Sequence, residues 1–126
     1  MLKSILTFVV SIFLASSALA EPISVPASDI KELLSGNSIE GTWAGQKYKQ
    51  FFDTSGSTTY AQKGSRETFG KWRINEQKNL YESWWERGGW SGYGVIRDGE
   101  KLYWTSSGLE PQPFEVIEGR DISWDD

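Results

Sequence analysis

The amino-acid sequence predicts an all-β protein: a single eight-stranded up-and-down antiparallel barrel, preceded by one short helix and an N-terminal signal peptide. Three observations carry this. From Ser38 onward, turn-forming clusters recur at intervals of roughly 8 to 13 residues, the cadence of a sandwich or barrel. Between them, apolar and polar residues alternate as on half-buried strands. The chain also carries seven Trp and five Tyr but no Cys, so a core of large rings must hold the fold without disulfides.

The first element is the signal. Lys3 supplies one positive charge, and an uncharged stretch from Ser4 to Ala20 follows, with its apolar heart between Ile5 and Ala15. It closes on Ala18-Leu19-Ala20, the small-x-small pattern a signal peptidase accepts. Ala15 to Ala20 is too small and weakly apolar to favour burial in lipid, so the mature chain is expected to begin at Glu21 with no membrane span. Residues 21–37 then form an extended lead-in and a helix, and residues 38–126 the barrel domain. At about 106 residues, the mature chain suits one domain that buries around two-thirds of its surface.

The helix is signalled by Asp29 as cap, Glu32 three residues on, and Ile30, Leu33 and Leu34 on one face, with Gly36 as the stop. Strands are expected at 38–44, 46–53, 57–63, 66–75, 79–87, 91–97, 100–106 and 112–118, with 121–124 a short closing segment. Alternation is clearest in Lys71-Trp72-Arg73-Ile74, Lys101-Leu102-Tyr103-Trp104 and Phe114-Glu115-Val116. Asp98-Gly99 is the strongest hairpin signal, since that pair adopts the positive φ angles of a tight two-residue turn. Short links favour a meander, and eight strands hide their edges best by closing into a barrel.

Composition prunes the chemistry. With no His and no Cys, Ser-His-Asp and Cys-His nucleophile systems, a zinc site of the usual type and haem held through His or Cys are excluded. The glycines punctuate strands and none opens a helix in a phosphate-binding motif. No catalytic residue, metal ligand or cofactor is therefore predicted, and the chain is read as a non-enzyme. Loss of Lys3 with the signal leaves 12 basic against 17 acidic residues, a net charge of −5, which argues against nucleic acid as a partner. No Asn-x-Ser/Thr sequon follows the signal, so the expected location is a bacterial periplasm or exterior.

Gly41-Thr42-Trp43 follows the helix on the first long strand and resembles the Gly-x-Trp signature of lipocalin-like barrels. That resemblance implies that Trp43 closes one end of the barrel and packs against a basic residue near the chain's end, here Arg120. A wider likeness covers Leu34 to Asn37, Phe51-Phe52-Asp53 with Gly56, Gly70 to Ile74 and Trp90 to Gly99. In these stretches the chain resembles small exported lipocalin-like bacterial proteins of unknown function. Members of that group tend to carry a Cys on each of two adjacent strands, near positions 81–82 and 92, and this chain has neither. The resemblance implies a fold and a compartment and no reaction.

The segment from Tyr81 to Trp90 is the most unusual. On a strand, Leu80, Glu82, Trp84 and Glu86 point one way and Tyr81, Ser83 and Trp85 the other, so both faces carry rings. Glu82 is either a surface carboxylate beside a Lys or Arg, or an interior one that requires a partner such as Arg73 or Arg97. A glycosidase-like pair with Glu86 is disfavoured, because about 13 Å of strand rise separates the two, too far for either usual carboxylate geometry. Two functions are consistent with these residues. One is a binding barrel for a small apolar or aromatic ligand, lined by Trp43, Trp72, Trp84, Tyr93 and Trp104 with Glu82 or Arg97 as polar anchor, unless those rings simply fill the interior. The other is an interaction protein, such as an inhibitor of an exported protease or lysozyme, that meets an envelope partner through Trp90 in the Gly-rich loop.

Overall fold

The structure, a computed structural model, describes residues 21–125. The expected signal, residues 1–20, lies outside the described residues, as does Asp126. The chain forms β1 (Ile23–Ser24), α1 (Ala27–Leu34), β2 (Ser38–Trp43), β3 (Gln46–Phe52), β4 (Ser57–Gln62) and β5 (Thr68–Asn75). It continues with β6 (Leu80–Trp85), β7 (Gly89–Asp98), β8 (Lys101–Ser106) and β9 (Leu109–Ile117). From β2 to β9 each strand pairs antiparallel with the next, and β9 returns to β2 with Ser38 opposite Ile117 and Gly41 opposite Phe114. The result is a closed eight-stranded up-and-down barrel with one short helix.

Alternation decides what fills it. Lys47 and Lys49 turn outward on β3, which sends Tyr48, Gln50 and Phe52 inward, and all three are buried. The helix lays Ile30 and Leu34 over one end of the barrel, where they join Ile39, Phe52, Trp72, Tyr81, Val95 and Leu102 in the core. This end also receives the β3–β4, β5–β6 and β7–β8 turns. The opposite end carries the β2–β3, β4–β5, β6–β7 and β8–β9 hairpin loops and, among the described residues, has no helix over it.

The helix start differs from expectation. Pro26 holds the N-cap position, and Asp29 lies inside the first turn without capping through its side chain. The acceptor comes from the β5–β6 turn instead, where Asn79 Oδ1 takes the Ala27 N–H at 2.6 Å. Gly36 does end the helix, at φ +74°. The two residues of β1, too short to show a period, continue the β7 ladder beyond β6 by pairing Ile23 with Arg97.

Other boundaries shift for identifiable reasons. Asp98 pairs with Lys101, so the β7–β8 loop is Gly99-Glu100, one residue later than Asp98-Gly99. β9 starts at Leu109 despite Pro111 and Pro113, because its ladder with β2 begins only at Phe114 and the prolines sit where β9 pairs with β8 alone. Residues 121–124 are not a strand. They cross the outside of β3 and β4 as an irregular strap: Ile122 is buried, Asp121 pairs with Lys49 at 3.1 Å and the Trp124 indole donates to the Ala61 carbonyl. Thr59 and Ala61, on the outward face of β4, are buried where this strap runs.

Arg120 does not meet Trp43. Its guanidinium lies over the Phe51 ring, 5.2 Å from the centroid. Gly41 has its own steric reason, since a Cβ there would stand 2.6 Å from the Pro113 carbonyl oxygen and 3.0 Å from Phe114 Cβ. Glycine thus lets β9 come in close to β2 and complete the closure.

Candidate binding cavity

Above the packed, helix-covered half lies a cavity of about 260 Å³. Seven rings form its wall: Trp43, Tyr48, Tyr60, Tyr81, Trp85, Tyr93 and Trp104, and the polar groups of Gln50, Thr68 and Ser83 complete it. Burial grades along its depth. Tyr48, Gln50, Tyr81, Ser83 and Trp104 at the bottom are buried, Trp43, Tyr60, Trp85 and Tyr93 are half-buried, and Thr68 is exposed. Trp43, Thr68 and Trp85 each end a strand beside a hairpin loop, so the mouth faces the end without the helix.

The rings support one another at edge and offset geometries. Tyr48 stacks on Tyr60 at 4.9 Å, Trp85 meets Tyr60 edge-on at 5.9 Å, and Trp43 meets Tyr93 edge-on at 5.5 Å. At the floor, Trp104 lies between Tyr81 at 4.7 Å and Phe114 at 4.5 Å. Trp85 reaches its place across Gly70, where a Cβ would stand 2.7 Å from the indole.

The polar groups are tied into a chain of hydrogen bonds. Thr58 Oγ1 donates to the Phe51 carbonyl and therefore offers a lone pair to Gln50 Nε2 at 2.9 Å. The same Nε2 donates to the Tyr81 hydroxyl at 3.2 Å. Trp85 Nε1 donates to Ser83 Oγ, whose hydroxyl also interacts with Tyr81, and Trp104 Nε1 donates to the Tyr48 hydroxyl. Burial pushes the phenols of Tyr48, Tyr81 and Tyr60 above the ordinary tyrosine range. Among the described residues, no Lys, Arg, Asp or Glu lines the cavity. Among the described residues there is no cluster of three side chains that could hold a metal ion.

Of the residues singled out in the sequence, the structure brings Trp43, Tyr93 and Trp104 together around this space. Trp43 lines the mouth, where the resemblance had it closing an end of the barrel. Trp72 points inward but lies beneath the floor, its indole donating to the Asp53 carbonyl and its ring edge-on to Phe52. Glu82 and Trp84 point out of the barrel. Glu82 accepts from Arg73 Nε at 2.8 Å and from Asn75, and the Arg73 hydrogen bond holds its carboxyl below the usual range. Lys71 lies over Trp84, 5.1 Å from the ring centroid. Arg97 is exposed at the helix-covered end, beside Asp29 and Glu32, so neither proposed polar anchor reaches the cavity. Trp90 is 40% exposed on the outer surface, with the Arg73 guanidinium 3.7 Å from its ring centroid.

Sequence reasoning missed Tyr48, Gln50, Tyr60, Thr68, Tyr81, Ser83 and Trp85. Lys47 and Lys49 were the available signal for β3, because two outward lysines fix Tyr48 and Gln50 inward. For β6 no such signal exists, since both of its faces carry rings. Comparison with known protein families, curated proteins and solved structures returns no match. Among the described residues no helix is long and apolar enough to cross a membrane.

Proposed function

We propose that the protein is an exported, non-catalytic binding module that holds a small uncharged aromatic or apolar molecule in the cavity at the hairpin end of the barrel. The observation that carries this reading is the open, ring-lined space of about 260 Å³, in whose wall no described residue is a Lys, Arg, Asp or Glu. That volume exceeds the ~150 Å³ engineered cavity that takes up benzene and approaches the ~300 Å³ at which ligand pockets commonly begin. An eight-stranded barrel has enough interior side-chain volume to be solid. Here the solid half is the one under the helix, and the rings at the other end leave room.

A panel of one- and two-ring neutral aromatics tests this by calorimetry and by quenching of tryptophan emission. At least one member should saturate the protein and raise its melting temperature, as any ligand selective for the folded state does. Trp43→Ala, at the half-buried mouth, should weaken that binding on the order of tenfold. No saturable response across the panel would overturn the reading.

The signal pattern at residues 1–20 and the missing sequon support export into a bacterial periplasm, and the barrel with its leading helix supports a place beside small lipocalin-like exported proteins. N-terminal sequencing of the purified protein should begin at Glu21. Recovery of chain starting at Met1 would contradict export by cleavage.

A second reading, contact with an envelope protein such as an exported protease or lysozyme, is favoured by the exposed rings of Phe69 and Trp90, 69% and 40% accessible. Loss of a co-purifying envelope protein on Trp90→Ala would support it, and retention would remove Trp90 from any such contact.

A further inference from the structure

Gln50 is 6% exposed and sits at the bottom of the cavity. Both hydrogens of its amide nitrogen are committed, one to Thr58 Oγ1 and one to the Tyr81 hydroxyl. The direction of this amide is dictated by its surroundings. The Thr58 hydroxyl spends its hydrogen on the Phe51 carbonyl, so only a donor satisfies its remaining lone pairs. Reversing the amide would set two acceptors against each other at 2.9 Å. Among the described residues the carbonyl oxygen Oε1 is left without a hydrogen-bond partner. No buried side-chain oxygen among the described residues lacks a partner, so Oε1 is accessible, and the space it opens on is the cavity that Gln50 lines. The hydroxyls of Tyr48, Tyr60 and Tyr93 can rotate to give or accept, but an amide oxygen can only accept.

From this we infer that the site is specific for neutral aromatic molecules carrying an N–H or O–H donor, which Gln50 Oε1 receives while the ring packs among Tyr60, Trp85, Trp43 and Tyr93. The inference rests on the cavity being the binding site and adds to it a chemical requirement. A carboxylate is disfavoured on two counts. It brings no donor to Oε1, and it enters a pocket whose wall holds no cation to offset its desolvation. A ring of equal size without a donor fits the space but displaces water from Oε1 and leaves that oxygen unpaired, the costly arrangement for a buried acceptor. Indole and phenol are thus the right kind of probe; N-methylindole, which lacks the N–H, is the control for the donor, and indole-3-acetate, which keeps the N–H, is the control for charge alone.

Calorimetric titration of the protein with indole, N-methylindole and indole-3-acetate, followed by the same series on Gln50→Leu, decides the matter. Indole should bind on the order of tenfold or more tightly than N-methylindole, the usual worth of one buried hydrogen bond left unmade, and more tightly than indole-3-acetate, whose carboxylate loses its hydration in a wall without cations. In Gln50→Leu the preference of indole over N-methylindole should vanish. Should that variant fail to fold, the comparison of ligands on the unaltered protein still decides. Equal binding of indole and N-methylindole to the unaltered protein would overturn the donor requirement and leave the cavity reading standing. Failure of all three to bind, together with silence across the neutral aromatic panel, would sink both.

Discussion

Tyr48 combines several roles in one side chain. Its ring stacks on Tyr60, its hydroxyl accepts from Trp104, and its burial among rings penalises the phenolate. Tyr81 and Tyr60 share that penalty, so all three have folded-state values above the ordinary phenol range near ~10. The sign of the linkage follows. Below the ordinary value both folded and unfolded chains keep these protons, and the contribution is complete; above it the unfolded chain ionises first and stability declines as pH rises. Alkaline titration followed by phenolate absorbance and circular dichroism should show these three tyrosines ionising together with loss of the fold. Smooth ionisation of Tyr48, Tyr60 and Tyr81 at ordinary pH values in an intact barrel would contradict it. At this scale the sequence marked Trp43, Tyr93 and Trp104 for the cavity because a large ring on an alternating strand is conspicuous. Gln50 escaped notice because its importance comes from Thr58 and Tyr81, on two other strands.

At the scale of elements, the helix was legible because Ile30 and Leu34 repeat at helical spacing, but its cap was not, because the acceptor arrives from 52 residues away. Asn79 holds φ at +56°, a conformation Asn tolerates better than most residues, while its side chain receives the Ala27 N–H. Asn79→Ala removes the acceptor and strains the turn, and Asn79→Gly removes the acceptor alone. Chemical denaturation should therefore rank Asn79→Ala below Asn79→Gly, with the Ala change costing about 1–2 kcal/mol and both below the unaltered protein. Equal stability of all three would mean that the bond to Ala27 contributes nothing. Strand β6 gave a different kind of ambiguity. Its inward face is settled by contacts with other strands, with Ser83 opposite Trp72 on β5 and Ser91 on β7, and by Gly70, which admits the Trp85 ring. None of these is local to Tyr81–Trp90, so both faces looked equally apolar.

Across the whole molecule the eight barrel strands and their meander order followed from turn spacing, because each hairpin is short and from β2 to β9 every strand pairs with its neighbour in sequence. What turn spacing leaves undetermined is how the interior is shared out. Ile30 and Leu34 add helix packing to one end, whereas Trp43 and Trp85 at the other remain partly accessible. Opening free energy should differ accordingly. Amide hydrogen exchange is expected to be slowest around Ile39, Phe52, Trp72 and Val95, and faster at Trp43, Thr68, Trp85 and Ser106. Uniform protection from end to end would refute this division.

The four loops around the cavity mouth, Ala44-Gly45, Lys63 to Glu67, Glu86 to Gly88 and Ser107-Gly108, are anchored in strands whose other halves carry the core. Away from Gly45, Gly64 and Gly108, whose φ angles are positive, their composition is consequently free to vary with little penalty to folding. Selection, natural or in the laboratory, has here a place to retune what is admitted to the interior while the foundation stays untouched.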